Sequence, residues 1–166
     1  MMYRRYLAML CLPSLIACGD AASPSYETPS LTAVANGHTV IRQEHPGMPL
    51  GYLDTLLNAV FMSGSTDPTL GAYEHLGVHL WAFHGTGSYH LHLNQGDGGS
   101  AFYGVTTPTG IIYEAHGGPR DYAQVTHYNP STGSIQGFFS FTGVDGFTGA
   151  TAAVTKGRFI GRIVRH

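Results

Sequence analysis

From Ser134 to Thr142 the chain alternates without a break. Ile135, Gly137, Phe139 and Phe141 fall on one side, and Gln136, Phe138, Ser140 and Thr142 on the other. A period of two is the signature of a strand, because successive side chains leave opposite faces of the backbone. It places Phe139 and Phe141 in a core with Ile135. After a loop at Gly143–Gly149, a second strand begins at Ala150–Thr155. Gly157 interrupts it just before Arg158-Phe159-Ile160, which reads as a bulge where a residue without Cβ takes a positive φ. Two long antiparallel strands, the second one kinked, would close a domain.

Earlier segments repeat the pattern at shorter length. Leu31–Val34 and Thr39–Arg42 flank Asn36-Gly37, a strong two-residue hairpin signal. Gln43–Tyr52, with Pro46 and Pro49, reads as a loop. Leu53–Met62 is ambiguous, since Leu53, Leu56, Leu57 and Val60 have helical spacing while Asn58–Met62 fits a strand. His75–Phe83, Ser88–Leu93, Ser100–Thr106, Ile111–His116 and Tyr122–Asn129 alternate and are separated by Gly, Pro and Asn turns. Short strands at regular spacing predict an all-β, two-sheet antiparallel sandwich of roughly eight to ten strands.

The N-terminus carries a different signal. Arg4-Arg5 precede an apolar run from Tyr6 to Ile16, too short to span a bilayer. Leu15-Ile16-Ala17-Cys18 then fits a bacterial lipobox, with small residues before a cut and a thiol just after it. The reading divides the chain into a signal peptide at 1–17, a tether at 18–30 starting from a lipidated Cys18, and a β domain at 31–166. The expected partners are the membrane, reached through that lipid, and an envelope protein or glycan. Gly19, rather than Asp, follows the cysteine. By resemblance to known sorting rules this favours the outer membrane, with either leaflet open. Cys11 leaves with the signal, so the mature domain has no disulfide and depends on core burial.

The closing pattern carries a resemblance. Ile135-Gln136-Gly137 with Phe139-Ser140-Phe141-Thr142, then Val154-Thr155-Lys156-Gly157-Arg158-Phe159, resembles the end of a family of Bacteroidota lipoproteins classed as a domain of unknown function. Leu31-Thr32-Ala33-Val34 before Asn36-Gly37 resembles that family's opening strand and turn. Leu80-Trp81-Ala82-Phe83 with Gly85-Thr86-Gly87-Ser88-Tyr89 resembles its central hairpin. Phe138, where the family has a small polar residue, and the histidines near Tyr89 depart from it. The resemblance implies an immunoglobulin-like sandwich and a cell-envelope location, and no catalytic residues. It also tips Leu56–Met62 towards strand.

Candidate chemistry is sparse. A formal net charge of −2 argues against nucleic acid as a partner. The chain has no Gly-x-Ser-x-Gly elbow and no His-Glu-x-x-His. Asn94–Gly99 resembles a calcium loop but lacks the spaced carboxylates and closing Glu. Asp54, Glu74, Glu114 and Asp121 are too scattered to pair as a glycosidase requires. Two constellations remain. If Glu74–Leu93 is a hairpin, His79, His90 and His92 share its outer face and could reach one Zn²⁺, the only cofactor suggested. Trp81 and Phe83 lie opposite Leu76, Val78 and Leu80. They either form an exposed aromatic platform of the kind that stacks sugars or are buried by a loop or the opposite sheet. The expected function is a membrane-anchored, non-catalytic binding or structural module. A carbohydrate-binding module and a His-based metal enzyme are the alternatives.

Overall fold

The computed structural model describes residues 28–43, 49–66, 73–93, 98–106 and 110–166. The signal segment, Cys18 and most of the tether lie outside these residues, as does 94–97 of the calcium-like run. The described chain is all β. Its strands are β1 (Ser30–Ala35), β2 (His38–Gln43), β3 (Gly51–Asp54), β4 (Ala59–Ser65), β5 (Tyr73–Trp81), β6 (Gly87–His90), β7 (Gly98–Thr106), β8 (Ile111–Ala115), β9 (Tyr122–Asn129), β10 (Ser134–Asp145) and β11 (Thr151–Arg165).

The two long closing strands organise the rest. β10 and β11 pair antiparallel along most of their length, and each changes its other neighbour partway. β11 pairs with β1 through Val154–Ile160 and then with β3 at Ile163–Arg165. β10 pairs with β9 through Ser134–Ser140 and then with β8 at Gly143–Asp145. Since β3, β4, β5, β7 and β8 follow one another as neighbours, the pairings close a ring of seven strands through β10 and β11. β1–β2 and β9–β6 extend from the ring. The sheet is therefore one hydrogen-bonded network rather than two separate antiparallel sheets, and the β3–β11 pair is parallel.

The core lies inside this closure. Ile135, Phe139 and Phe141 are buried in it as the alternation predicts, against Leu31, Val154 and Phe159. Phe138, on the opposite face, is 49% exposed. The Asn36-Gly37 hairpin forms with positive φ at both residues. Asn36 also fastens it to β11: its N–H donates to the Ala153 carbonyl and its Oδ1 accepts from the Ala153 N–H, both at 3.1 Å.

Three expectations are corrected. The β11 bulge is present, since β10 and β1 both slip by one residue against 155–157. The residue with positive φ, however, is Lys156 (φ 52). Gly157 is needed for space: a Cβ there would lie 2.4 Å from the Phe139 carbonyl oxygen. Second, Leu56 and Leu57 begin no strand. They sit exposed in the β3–β4 turn, where both N–H groups donate to Asp54 Oδ1, at 2.9 and 3.0 Å. An Asp that captures the next backbone amides forms a turn in place of a helix or strand. The strand starts at Ala59, and Gly51 and Tyr52, expected in a loop, are strand. Third, Glu74–Leu93 is not a hairpin. β5 pairs with β4 and β7, whereas β6 pairs with β9.

Candidate functional site: an aromatic band on the outer face

Across β3, β4, β5 and β7 the outward residues fall into register. Tyr52 pairs with Phe61, Phe61 with His79, and His79 with Ser100. In the next row Gly77 pairs with Phe102, and Phe102 with Glu114 of β8. Directly opposed side chains on one face lie ~4.5–5.5 Å apart at Cβ, so the rings must meet. Tyr52 and Phe61 stack with centroids 5.0 Å apart and planes 22° from parallel. His79 tilts against Phe61 at 5.0 Å and meets the Phe102 edge at 5.7 Å. Trp81 stands edge-on to Phe61 at 5.2 Å. Gly77 makes the arrangement possible: Phe102 lies flat over it, 2.1 Å from where a Cβ would be.

The band borders a groove of about 300 Å³, lined by Phe61, His79, Trp81, Ser100, Phe102 and Glu114 among others. Ser100 Oγ approaches His79 Nδ1 at 3.4 Å. Burial lowers the His79 pKa from its ordinary value, so the ring is neutral at pH 7. Trp81 Nε1–H is buried and has no acceptor among the described residues. The groove thus offers aromatic faces, a neutral imidazole, a hydroxyl and one carboxylate, the mixture that holds small ligands in apolar clefts.

Trp81 therefore lies on the outer face. Phe83 does not join it. Ala82 takes a positive φ of 46, which breaks the alternation and turns Phe83 into the core at 7% exposure. There Phe83 stacks on Tyr89 and meets the edge of Tyr128. The histidines separate for a related reason. His79 belongs to the band, while His90 and His92 sit at the end of β6 with rings 6.1 Å apart, beside Gly117. No three His, Cys, Asp or Glu side chains converge to hold a metal among the described residues. The missing β5–β6 hairpin removes the register that would have joined them.

The sequence reading missed Tyr52, Phe61 and Phe102. The alternation of Ser100–Thr106 carried the signal for Phe102; Tyr52 and Phe61 were hidden by the prolines and the leucine run. It also missed a clasp at the tip of the β1–β2 hairpin. His38 Nε2 lies 2.7 Å from Glu74 Oε1, and the buried Tyr103 hydroxyl donates to the same oxygen. Burial, then the neighbouring Glu74, raises the Tyr103 pKa, so this hydroxyl stays protonated. Of the scattered carboxylates, Asp121 is structural. It is 2% exposed, and its oxygens accept the Thr142 N–H at 2.8 Å and the Gly118 N–H at 2.9 Å.

No family model, curated protein or solved structure matches the chain.

Proposed function

We propose that the chain is a lipid-anchored protein of the cell envelope, held by acylated Cys18, whose β domain is a non-catalytic binding module using the aromatic groove. The observation that carries the binding role is the row Tyr52–Phe61–His79 with Phe102 and Trp81 beside it, an apolar surface turned away from the core. A protein without a ligand for this face gains little from keeping such rings at its surface. The lipobox at Leu15–Cys18 supports the anchor, and the quoted motifs support membership of the Bacteroidota lipoprotein family. An immunoglobulin-like sandwich, in which the single network folds into two facing layers, is the finer fold we propose. It is supported by Tyr89, whose hydroxyl donates to the Gly85 carbonyl at 2.8 Å and accepts the His84 N–H at 3.1 Å. Hydroxyls that reach back to nearby backbone in this way fasten the corners of such sandwiches.

One ligand class is favoured by a specific feature. The Trp81 indole N–H meets no acceptor among the described residues and there forgoes about 1–3 kcal/mol, which a sugar hydroxyl reaching it would restore while its ring stacks on the aromatic band. The anchor is tested by growing cells on a labelled fatty acid. The protein should take up the label, and Cys18→Ala should lose both label and membrane fraction; a membrane-bound, processed Cys18→Ala protein refutes it. The groove is tested by retention on immobilised envelope glycan, which Trp81→Ala should abolish and Leu56→Ala, on the exposed β3–β4 turn, should leave intact.

A further inference from the structure

Leu56 and Leu57 stand at one extremity of the domain, 96% and 60% exposed. The turn that carries them is fixed from several sides. Asp54 Oδ1 accepts both of their N–H groups. The Thr55 N–H and hydroxyl donate to the His166 carbonyl at 3.3 and 2.9 Å, and the His166 N–H donates to the Leu53 carbonyl at 3.0 Å. Asn58 takes a positive φ of 47, and its carbonyl accepts the Phe83 N–H at 2.7 Å. Hydrogen bonds, and not burial of the leucines, set this shape, so two adjacent apolar side chains are held out from the fold. Phe147, in the β10–β11 turn, is a second apolar tip and is fully exposed.

The chain's connectivity tells the two tips apart. β3 runs parallel to β11 and pairs with its last residues, Ile163–Arg165, so the leucine turn lies beyond Arg165. Phe147 precedes Thr151, at the other end of β11. The tether enters between them, nearer the leucines: Pro29 lies over Gly161, where a Cβ would be 3.1 Å from the Pro29 Cβ. From Gly161 the strand runs four residues on to Arg165 and ten back to Thr151, about 13 Å and about 33 Å at ~3.3 Å per residue. Pro29 stands eleven positions after Cys18, and eleven residues reach at most ~40 Å. A lipid on Cys18 thus lets the leucine tip meet the bilayer with length to spare, whereas bringing Phe147 there would use nearly all of the tether. Apolar side chains beside a lipid anchor gain by leaving water for the acyl boundary, and a second contact strengthens and orients what the lipid holds. Tyr52, 40% exposed and two residues before Asp54, has the amphipathic ring that settles at headgroup level.

We propose that the β3–β4 turn inserts Leu56 and Leu57 into the boundary between headgroups and acyl chains of the leaflet that holds the Cys18 lipid. The proposal rests on the lipid-anchor reading. It needs no charge on the phospholipid, and it turns Phe147 away from the membrane.

The test uses the lipidated mature chain. With Cys11 removed and Cys18 acylated, an introduced cysteine is the only free thiol. Leu57→Cys and Phe147→Cys each carry an environment-sensitive fluorophore, in phosphatidylcholine vesicles with a spin-labelled acyl chain as quencher. The label at position 57 should shift to the blue and be quenched, equally in low and high salt, and the label at position 147 should do neither. Leu56→Asp should abolish the quenching at position 57 with unchanged thermal unfolding and unchanged vesicle association, because the lipid still holds the chain. No quenching at position 57, or equal quenching at both labels, overturns the insertion while leaving the anchor intact. Energy transfer between chains labelled at position 57, in place of acyl-chain quenching, assigns the tip to a second copy of the chain and overturns it too. The mass of the same preparation reports the lipid on Cys18, and a chain without it refutes the anchor and the insertion together.

Discussion

The two outer faces of this domain are built from the same geometry and opposite chemistry. On one, β3, β4, β5, β7 and β8 contain no Lys or Arg, and the rings of Tyr52, Phe61, His79 and Phe102 run across the strands. On the other, β11 concentrates the cations, and Phe138 and Tyr122 are exposed among polar side chains. Both faces share one core, so neither difference is required for folding. A sheet needs only one buried face; what its other face carries is free to serve a ligand or a surface.

The largest contrast between inside and outside is expected on β10. Phe139→Ala should destabilise by ~3–5 kcal/mol, the range for a buried aromatic. Its neighbour Phe138→Ala should change stability by no more than ~0.5 kcal/mol. Chemical denaturation measures both, and similar losses would mean that the cationic face is a second core. Next in size is Asp121→Ala, which leaves the Thr142 and Gly118 N–H groups without their acceptor. It should cost about 1–3 kcal/mol for each buried donor that finds no water.

The aromatic face can be sharpened through pH. His79 has its pKa lowered by burial. Its neutral form is the one the fold favours, so the stability it protects is complete above the unfolded value of about 6.5. That stability is lost as pH falls below it, because the unfolded chain binds the proton more readily. Thermal unfolding between pH 7 and pH 5 should show this loss, and His79→Gln should remove that component. The smallest effect belongs to the cationic face. Lys156→Gly relieves a left-handed backbone at a residue with a Cβ, and should raise stability by up to ~1 kcal/mol.

The sequence made the cores of β10 and β11 legible because their alternation is long and uninterrupted. The hairpin at Asn36-Gly37 was legible because few dipeptides accept two positive φ values in succession. What escaped was non-local. Nothing in Glu74–Leu93 says that β6 leaves β5 for β9, so the histidines were joined by a register the fold does not use. Ala82 gave no sign of the positive φ that sends Phe83 inward. The aromatic band depends on β3 and β4, whose outward rings were masked by leucines that belong to a turn. The lysine that takes the bulge conformation stands one residue before the glycine that composition points to.

Uptake of ligand at the proposed groove has a built-in reporter, since Trp81 is the single tryptophan of the chain. Indole emission should be followed while soluble glycan fragments of the envelope are titrated in, with calorimetry on the same samples. A saturable shift of the emission that tracks the heat and is lost in Phe61→Ala is the predicted result. Saturable heat with unmoved Trp81 emission, or a shift indifferent to Phe61→Ala, would contradict it.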